Sequence, residues 1–206
     1  MWTWPHELQT RQTGGPLITL RPLRRTDRQC WQALRHRNRQ WLQPWESAPP
    51  GGVQSVPSFR RLRRTYDRAA AEGRLVPFVI DVDGTLAGQM HLFDLHWGSR
   101  CAGSAGYWLD QGATGRGIAT WALAMALDYG LTEVGLNRIE VNIRPENTAS
   151  LAVAERLALP EEGLRRALMF VDGEWRDHRC FAVVRDDRHL AGSLVRRLRA
   201  AADRTP

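Results

Sequence analysis

The feature that most restricts the fold is a glycine-rich turn followed directly by a helix that is apolar on every side. Residues 118–129 read IATWALAMALDY and contain one charged residue, Asp128. A helix without a polar face must be covered by other elements. The apolar run from Gly117 to Leu127 is too short to span a bilayer. It therefore predicts a helix buried inside a layered domain and ending at Gly130.

Strand and helix signals alternate on both sides of this helix. Strand composition occurs at Leu17–Leu23, Leu75–Val82, Thr85–Leu95, Ser104–Leu109, Arg138–Ile143, Leu164–Val171 and Glu174–Val184. Helical spacing of apolar residues occurs from Thr26 to Arg37, from Ser58 to Gly73, from Asn147 or Thr148 to Leu157, and from Asp187 onward. This order predicts an α/β fold with one sheet and helices on both of its faces. We expect one domain over residues 1–186, with 187–206 forming an amphipathic helix and tail on the same domain.

The charge of the chain is strongly positive and rests on arginine alone. There are 29 basic and 22 acidic residues, which gives a net charge of +7, and the sequence contains no lysine. Mechanisms that need a lysine Schiff base or a P-loop lysine are therefore excluded. Arginine favours phosphate and carboxylate partners, so the composition indicates an anionic ligand without choosing one. Three widely spaced cysteines indicate neither a disulfide framework nor a zinc site, and we expect no metal.

The turn before the apolar helix has the properties of a phosphate site. Thr114-Gly115-Arg116-Gly117 lies between a predicted strand and the helix. Glycine lets the backbone approach a ligand closely, and the unpaired N–H groups of a helix N-terminus attract phosphate oxygens. Ile118 stands where a P-loop requires lysine, and Thr120 stands where a dinucleotide fingerprint requires glycine. A helix that simply begins after a flexible turn is the alternative interpretation.

A second segment, LNRIEVNIRPENTASLAVAERL at residues 136–157, completes a resemblance to a known family. Together with the glycine turn it resembles the GNAT superfamily of acyl-CoA-dependent N-acetyltransferases, in particular the ribosomal-protein-alanine (RimJ/RimL) type. WLQPWE at 41–46, GYWL at 106–109 and VDGEWRDHRCFAVV at 171–184 are similar to further segments of that type. Thr114 departs from the usual Arg or Gln of the family's phosphate turn. The resemblance implies a single mixed, mostly antiparallel sheet of about six or seven strands.

The resemblance also implies an acetyl-CoA site. The cofactor arm would insert where the strand at Tyr107–Leu109 separates from its neighbour near Asn142, and a backbone N–H near Leu109 would polarise the thioester carbonyl. The implied cofactor-binding residues are Trp108, Leu109, Thr114, Gly115, Arg116, Gly117, Ile118, Ala119, Thr120, Asn142, Asn147, Ser150, Ala152 and Arg156. Asn147 can equally serve as a helix N-cap, a role that asparagine fills well.

The catalytic positions of the family are only partly matched. Ala154 replaces the tyrosine that many relatives use as the acid, so Ser150 is the implied donor to the leaving sulfur. Ser104 and Met169 stand at two positions where relatives carry a glutamate base. Glu46, in the loop expected to face the substrate, is the first candidate for the base, ahead of His91 and Asp94. The expected substrate-binding residues are Trp45, Glu46, His91 and Tyr107.

The sequence thus predicts an acetyl-CoA-dependent N-acetyltransferase acting on the N-terminal α-amine of a protein, such as a ribosomal protein. The alternatives are acetylation of a small amine (an antibiotic or a polyamine), a basic RNA- or ribosome-binding module, and an acyl-CoA sensor without catalysis. No signal peptide or membrane span is expected, and a cytoplasmic location is the default. We expect a monomer or homodimer and no stable nucleic-acid binding.

Overall fold

A computed structural model describes residues 2–12, 14–51, 57–187 and 192–204. Eight strands form one sheet in the order β1-β2-β3-β4-β5-β6-β8-β7. The strands are β1 (Leu8–Arg11), β2 (Leu17–Pro22), β3 (Val76–Val82), β4 (Thr85–His96), β5 (Ala102–Leu109), β6 (Arg138–Ile143), β7 (Glu161–Val171) and β8 (Glu174–Val184). The pair β5–β6 is parallel and the other pairs are antiparallel. The predicted mixed, mostly antiparallel sheet is therefore confirmed.

The helices are α1 (Arg28–Arg37), α2 (Arg39–Leu42), α3 (Phe59–Ala71), α4 (Ile118–Tyr129), α5 (Thr148–Arg156) and α6 (Leu194–Ala202). Leu34 of α1 and Phe59 of α3 pack with Val79 on one face of the sheet. The side chains of α4 pack with Phe78 and Ile80 on the other face. Because successive strand residues point to opposite faces, β3 separates the two cores. Helices on both faces are as predicted.

The apolar helix occupies the place that its composition requires. Ile118, Leu123 and Leu127 of α4 have no exposed surface. The α-helix ends at Tyr129 with Gly130 as its C-cap, as predicted, and the chain continues into a π-helical turn at Gly130–Val134 that was not predicted. Among the described residues, no helix combines the length and the apolar character that crossing a membrane requires.

Three further predictions of local structure need correction. The edge strand β1 was not predicted, because LQTR is short and carries no alternating apolar pattern, and the sheet therefore has one strand more than expected. Part of the expected loop at 41–46 is helical, in α2 and the 3-10 turn Gln43–Trp45. The C-terminal helix begins at Leu194, and residues 188–191 of its predicted start lie outside the described residues.

Asp128, the charged residue of α4, attaches the C-terminal helix. Its carboxylate accepts hydrogen bonds from Ser193 Oγ at 2.6 Å and from the backbone N–H groups of Leu194 and Val195 at 2.8 and 3.1 Å. A carboxylate at a helix N-terminus satisfies N–H groups that have no partner within the helix. The contact fixes α6 against α4, while the assignment of 187–206 to the same domain stays a prediction.

Candidate active site

The two parallel strands at the centre of the sheet separate after three residue pairs. Ala102–Ser104 of β5 pair with Arg138–Glu140 of β6. Farther along, residues 105–109 of β5 are paired with β4, and residues 141–143 of β6 with β8. In the part of the chain that the structure describes, the facing edges of the two strands are thus unpaired beyond Ser104. The backbone N–H and C=O groups there are available to an extended ligand lying between the strands.

The Asn142 side chain on β6 marks the same opening from the other side. Its Oδ1 atom is buried and has no hydrogen-bond partner among the residues that the structure describes. A buried polar atom without a partner costs free energy unless a ligand or water satisfies it. Asn142 therefore fits a ligand with hydrogen-bond donors, such as the amides of a pantetheine arm.

The glycine turn leaves the first backbone N–H groups of α4 free of side-chain caps. Gly115 and Gly117 have φ values of +75° and +73°, a region that favours glycine. Gly117 is the N-cap of α4 and offers no side chain to accept from the helix. The N–H groups of residues 118–120 and the positive end of the helix dipole therefore remain available to a phosphate.

Two polar side chains hold the shape of this turn. Thr114 Oγ1 donates to the carbonyl oxygen of Gln111 at 2.7 Å. The threonine that replaces the family's usual Arg or Gln therefore stabilises the turn itself. Gln12, in the β1–β2 loop, donates to the carbonyl oxygen of Arg116 at 3.2 Å. Sequence reasoning missed Gln12, because nothing local connects it to a turn about a hundred residues away. The Arg116 side chain is exposed beside the turn.

Three predicted site residues meet at the N-terminus of α5. Asn147 caps this helix, with its side-chain oxygen accepting from the Ser150 N–H at 3.0 Å. The Tyr107 hydroxyl donates to Ser150 Oγ at 3.2 Å across the opening. Burial raises the pKa of Tyr107 to about 12, so its hydroxyl keeps its proton at neutral pH. The contact places a serine hydroxyl, oriented by a neutral phenol, beside the separated strands.

The two remaining cofactor candidates on α5 lie at its middle and at its C-terminal end. Ala152 is half-buried, whereas Arg156 is exposed in the last turn of the helix. Arg156 is six residues beyond Ser150, which corresponds to about 9 Å along a helix axis.

His91, predicted to bind substrate, and Trp108, predicted to bind the cofactor, lie together on the α1–α3 face, whereas Tyr107 of the predicted substrate set lies beside Ser150. Trp108 Nε1 donates to Gln89 Oε1 at 2.9 Å, and Gln89 Nε2 donates to the Tyr66 hydroxyl at 2.8 Å. His91 packs edge-on against Tyr66, with ring centroids 5.0 Å apart. The Arg35 guanidinium lies over the Trp108 ring at 5.1 Å. Sequence reasoning missed Tyr66, Gln89 and Arg35, which no recognisable motif contains.

The two loop residues predicted to face the substrate are each engaged by an arginine. Glu46 forms an ion pair of 2.5 Å with Arg35. The Arg144 guanidinium lies 5.3 Å from the centroid of the Trp45 ring and donates to the Pro44 carbonyl oxygen at 2.6 Å. Among the described residues, no hydrogen bond or ion pair joins Glu46 to Ser150 or Tyr107.

A second carboxylate lies beside the position where many relatives carry the base. Glu140 of β6 is paired with Ser104 of β5, so the two side chains project to the same face of the sheet. Glu140 accepts hydrogen bonds from Arg165 and Arg138, and the Arg165 hydrogen bond is the main cause that lowers its pKa. It is therefore ionised at neutral pH and a weak base. Among the described residues, no group of three His, Cys, Asp or Glu side chains could hold a metal.

Burial of the His91 ring lowers its pKa to about 4, below the reference value of 6.5. The folded state therefore binds fewer protons than the unfolded state between these values, so stability falls as the pH falls through this window. We expect a loss of at most about 3 kcal/mol of unfolding free energy between pH 7 and pH 4 through this group. Urea unfolding of His91→Phe should show a correspondingly smaller pH dependence. A pH dependence equal to that of wild type would contradict the shift, and His36→Phe on the exposed face of α1 is the control.

Comparison with known proteins identifies the family. A family described as "Acetyltransferase (GNAT) domain" matches residues 18–159. The structure of Mycobacterium smegmatis RimJ in complex with CoA-disulfide is 36% identical with a TM-score of 0.86, covering 96% of this chain and 95% of that one. The Escherichia coli [ribosomal protein uS5]-alanine N-acetyltransferase is 27% identical over 78% of this chain and 85% of that protein. The Escherichia coli spermidine N(1)-acetyltransferase is 26% identical over 78% of this chain and 82% of that protein. The chain therefore belongs to the GNAT acetyltransferase family, which uses acetyl-CoA as its acetyl donor.

Proposed function

We propose that this protein transfers an acetyl group from acetyl-CoA to the N-terminal α-amine of a protein, of the kind found on ribosomal proteins. The observation that carries the proposal is the opening between β5 and β6, with the uncapped N-terminus of α4 and the Tyr107–Ser150 pair beside it. When bound, acetyl-CoA supplies an acetyl thioester. The residues Asn142, Asn147, Ser150 and Gly115–Ile118 would hold it.

Ser150 acts in this proposal as the hydrogen-bond donor to the leaving sulfur, and Tyr107 positions it. A phenol of pKa about 12 does not give its proton to an ordinary thiolate, whose acid has a pKa near 8.5. The transfer would be uphill by about 5 kcal/mol. Neither hydroxyl gives up its proton: Tyr107 donates to Ser150 Oγ and fixes its direction, and the Ser150 hydroxyl donates a hydrogen bond to the sulfur, which leaves as a thiolate. A backbone N–H near Leu109 would polarise the thioester carbonyl.

The carboxylates of the site favour an α-amine over a lysine side chain. Glu46 is engaged by Arg35, and Glu140 is a weak base held by two arginines. An α-amine with a pKa near 8 is about one-tenth neutral at pH 7, so it needs little help to lose its proton. A lysine amine would cost about 4.6 kcal/mol to deprotonate there. Either carboxylate can take up the proton that the α-amine loses, directly or through a water molecule.

The charges on the substrate side disfavour the polyamine alternative that the spermidine acetyltransferase relative raises. Polyamine cations are held by carboxylates and by the faces of aromatic rings. The faces of Trp108 and Trp45 are already covered by the guanidinium groups of Arg35 and Arg144. A polyamine would have to displace these cations or bind beside them with several positive charges, whereas a peptide brings at most the one charge of its α-amine.

An acceptor panel tests the proposal through the release of free thiol from acetyl-CoA. We expect peptides with N-terminal Ala or Ser to give kcat/KM values at least tenfold higher than spermidine or an N-terminally blocked peptide with an internal lysine. Faster turnover of spermidine would replace the proposal by small-amine acetylation. Measurable acetyl-CoA binding without thiol release from any acceptor would replace it by a binding role.

A further inference from the structure

The outer side of α3 carries a row of arginines that the acetyltransfer site does not use. We define the arginine face as Arg60, Arg61, Arg64, Arg68 and Arg74. Together with Ser58 and Thr65, these residues line one surface groove. All five arginines are exposed. The inner side of the same helix is anchored by Phe59, Ala69 and Ala70, which are buried against the sheet. The face is therefore presented on a rigid element.

Most of this charge has no ion-pair partner among the described residues. Arg63 pairs with Asp67, and Arg74 pairs with Glu72. The ion pairs found within the described ranges include none of Arg60, Arg61, Arg64 and Arg68. Arginines four residues apart on a helix repel one another by about 0.2–0.5 kcal/mol per pair. The helix thus carries an unfavourable arrangement that an external anion would relieve.

The spacing suits a chain of phosphates rather than one anion. Arg60 and Arg68 are eight residues apart, which corresponds to about 12 Å along the helix axis. The four unpaired arginines lie within an arc of roughly 100° at 3.6 residues per turn. Several guanidinium groups in a row along a groove match a backbone with a phosphate at every unit.

An exposed aromatic ring lies at the C-terminal end of the arginine face. Trp97 is 46% exposed, and its Nε1 donates to the carbonyl oxygen of Gly73 at 2.9 Å, one residue before Arg74. The hydrogen bond fixes the orientation of the ring while leaving much of it open to solvent. Basic grooves that end on exposed aromatic rings bind single-stranded nucleic acid, because unpaired bases stack on the ring and phosphates meet the arginines.

We propose that the arginine face and Trp97 bind a single-stranded segment of nucleic acid, with phosphates along α3 and a base on Trp97. An acidic protein is the less suitable partner, because protein interfaces have an apolar centre and the groove itself is lined by arginine, serine and threonine. The proposal departs from the expectation of no stable nucleic-acid binding. It is independent of the acetyl acceptor, since none of these residues contacts the acetyltransfer site.

Fluorescence anisotropy with a fluorescein-labelled 12-nucleotide single-stranded RNA tests the proposal on the full chain. The triple variant Arg60→Gln/Arg64→Gln/Arg68→Gln should raise Kd at least tenfold at 100 mM salt. Its plot of log K against log salt should be shallower by about 2, because each lost phosphate contact removes about 0.7 from the slope of a single strand. The variant Arg25→Gln/Arg28→Gln/Arg39→Gln removes the same charge from exposed positions near α1 and α2 and should change Kd less than threefold.

Trp97→Ala should raise Kd about tenfold, whereas Trp97→Phe, which keeps a ring without the hydrogen bond, should stay within about threefold of wild type. Trp175→Ala removes a tryptophan on the β7–β8 hairpin that is even more exposed than Trp97, and it is the matched control. All variants should acetylate a short peptide at the wild-type rate, which shows that they are folded.

The outcomes separate the possible partners. Binding of both single-stranded DNA and RNA supports the proposal through the phosphates and bases that the two share. Binding of RNA alone also supports the proposal and identifies RNA as the ligand. Equal losses in the two triple variants would overturn the proposal in favour of non-specific attraction to net charge. Competition by polyglutamate as effective as by unlabelled RNA would overturn it in favour of an acidic protein, and tighter binding of a duplex would overturn the role of Trp97.

Discussion

Gly117→Asp is expected to raise the Kd for acetyl-CoA at least 100-fold. Gly117 is the N-cap of α4 with φ +73°, and its missing side chain is the reason that the helix N–H groups are free. An aspartate there would accept hydrogen bonds from these N–H groups and would place a negative charge where phosphates must bind. A factor of 100 corresponds to about 2.7 kcal/mol of binding free energy. The loss of one phosphate contact, which the aspartate displaces and repels, accounts for a change of this size.

Gly117→Asn is the matched control for charge. Asparagine has the same shape as aspartate, caps helices equally well and tolerates the left-handed conformation. A Cβ atom at this position would lie 3.4 Å from Gln12 Nε2, so both variants disturb the contact of Gln12 with Arg116 to the same extent. We expect Gly117→Asn to weaken binding only about tenfold, so the remaining difference measures the charge.

Isothermal titration calorimetry with acetyl-CoA measures both variants directly, with thermal unfolding as a check that each is folded. Wild-type affinity in a folded Gly117→Asp variant would show that the phosphate site lies elsewhere. Equal losses in the aspartate and asparagine variants would show that the turn is needed for its shape and that no phosphate binds there.

The parts of the fold that could be predicted are those where local chemistry leaves one solution. The uninterrupted apolar composition of α4 requires burial, and the Asp83-Gly84 turn requires a hairpin between β3 and β4. The strand β1 could not be predicted, because it is stabilised by pairing with Leu17–Leu20 rather than by a pattern of its own. The helix α2 could not be predicted either, because the prolines and tryptophans of its segment are typical of a loop.

The same distinction holds for the candidate site. The glycine turn, Asn147 and Ser150 lie in short motifs, and the structure brings Asn147, Ser150 and Tyr107 together. Gln12, Arg35 and Glu140 each contact a residue far away in the sequence, namely Arg116, Trp108 and Arg165. Such contacts depend on the strand order of the finished sheet, and no spacing in the sequence contains them.

Replacing Ser150 by alanine is expected to lower kcat about 100-fold while leaving the Kd for acetyl-CoA within about threefold of wild type. A positioned donor to a leaving group contributes typically 100-fold or more to the chemical step and little to ground-state binding. The removed hydroxyl accepts from Tyr107 at 3.2 Å, whereas the contact of the helix with Asn147 uses the backbone N–H and survives the change. Steady-state thiol release with saturating peptide and acetyl-CoA measures kcat, and calorimetry measures Kd.

If Tyr107 acts by positioning the Ser150 hydroxyl, the effects of replacing the two residues should not multiply. Tyr107→Phe should lower kcat only about tenfold, and the double variant should be no slower than Ser150→Ala, because Tyr107 acts through the hydroxyl that is already absent. Multiplied losses in the double variant would mean that Tyr107 acts on the reaction independently of Ser150. Thr148→Ala removes a hydroxyl from the same first turn of α5 at an exposed position and should leave kcat unchanged. If Ser150→Ala behaves like Thr148→Ala, the serine has no part in the chemistry, and Asn147 and Ser150 merely begin the helix.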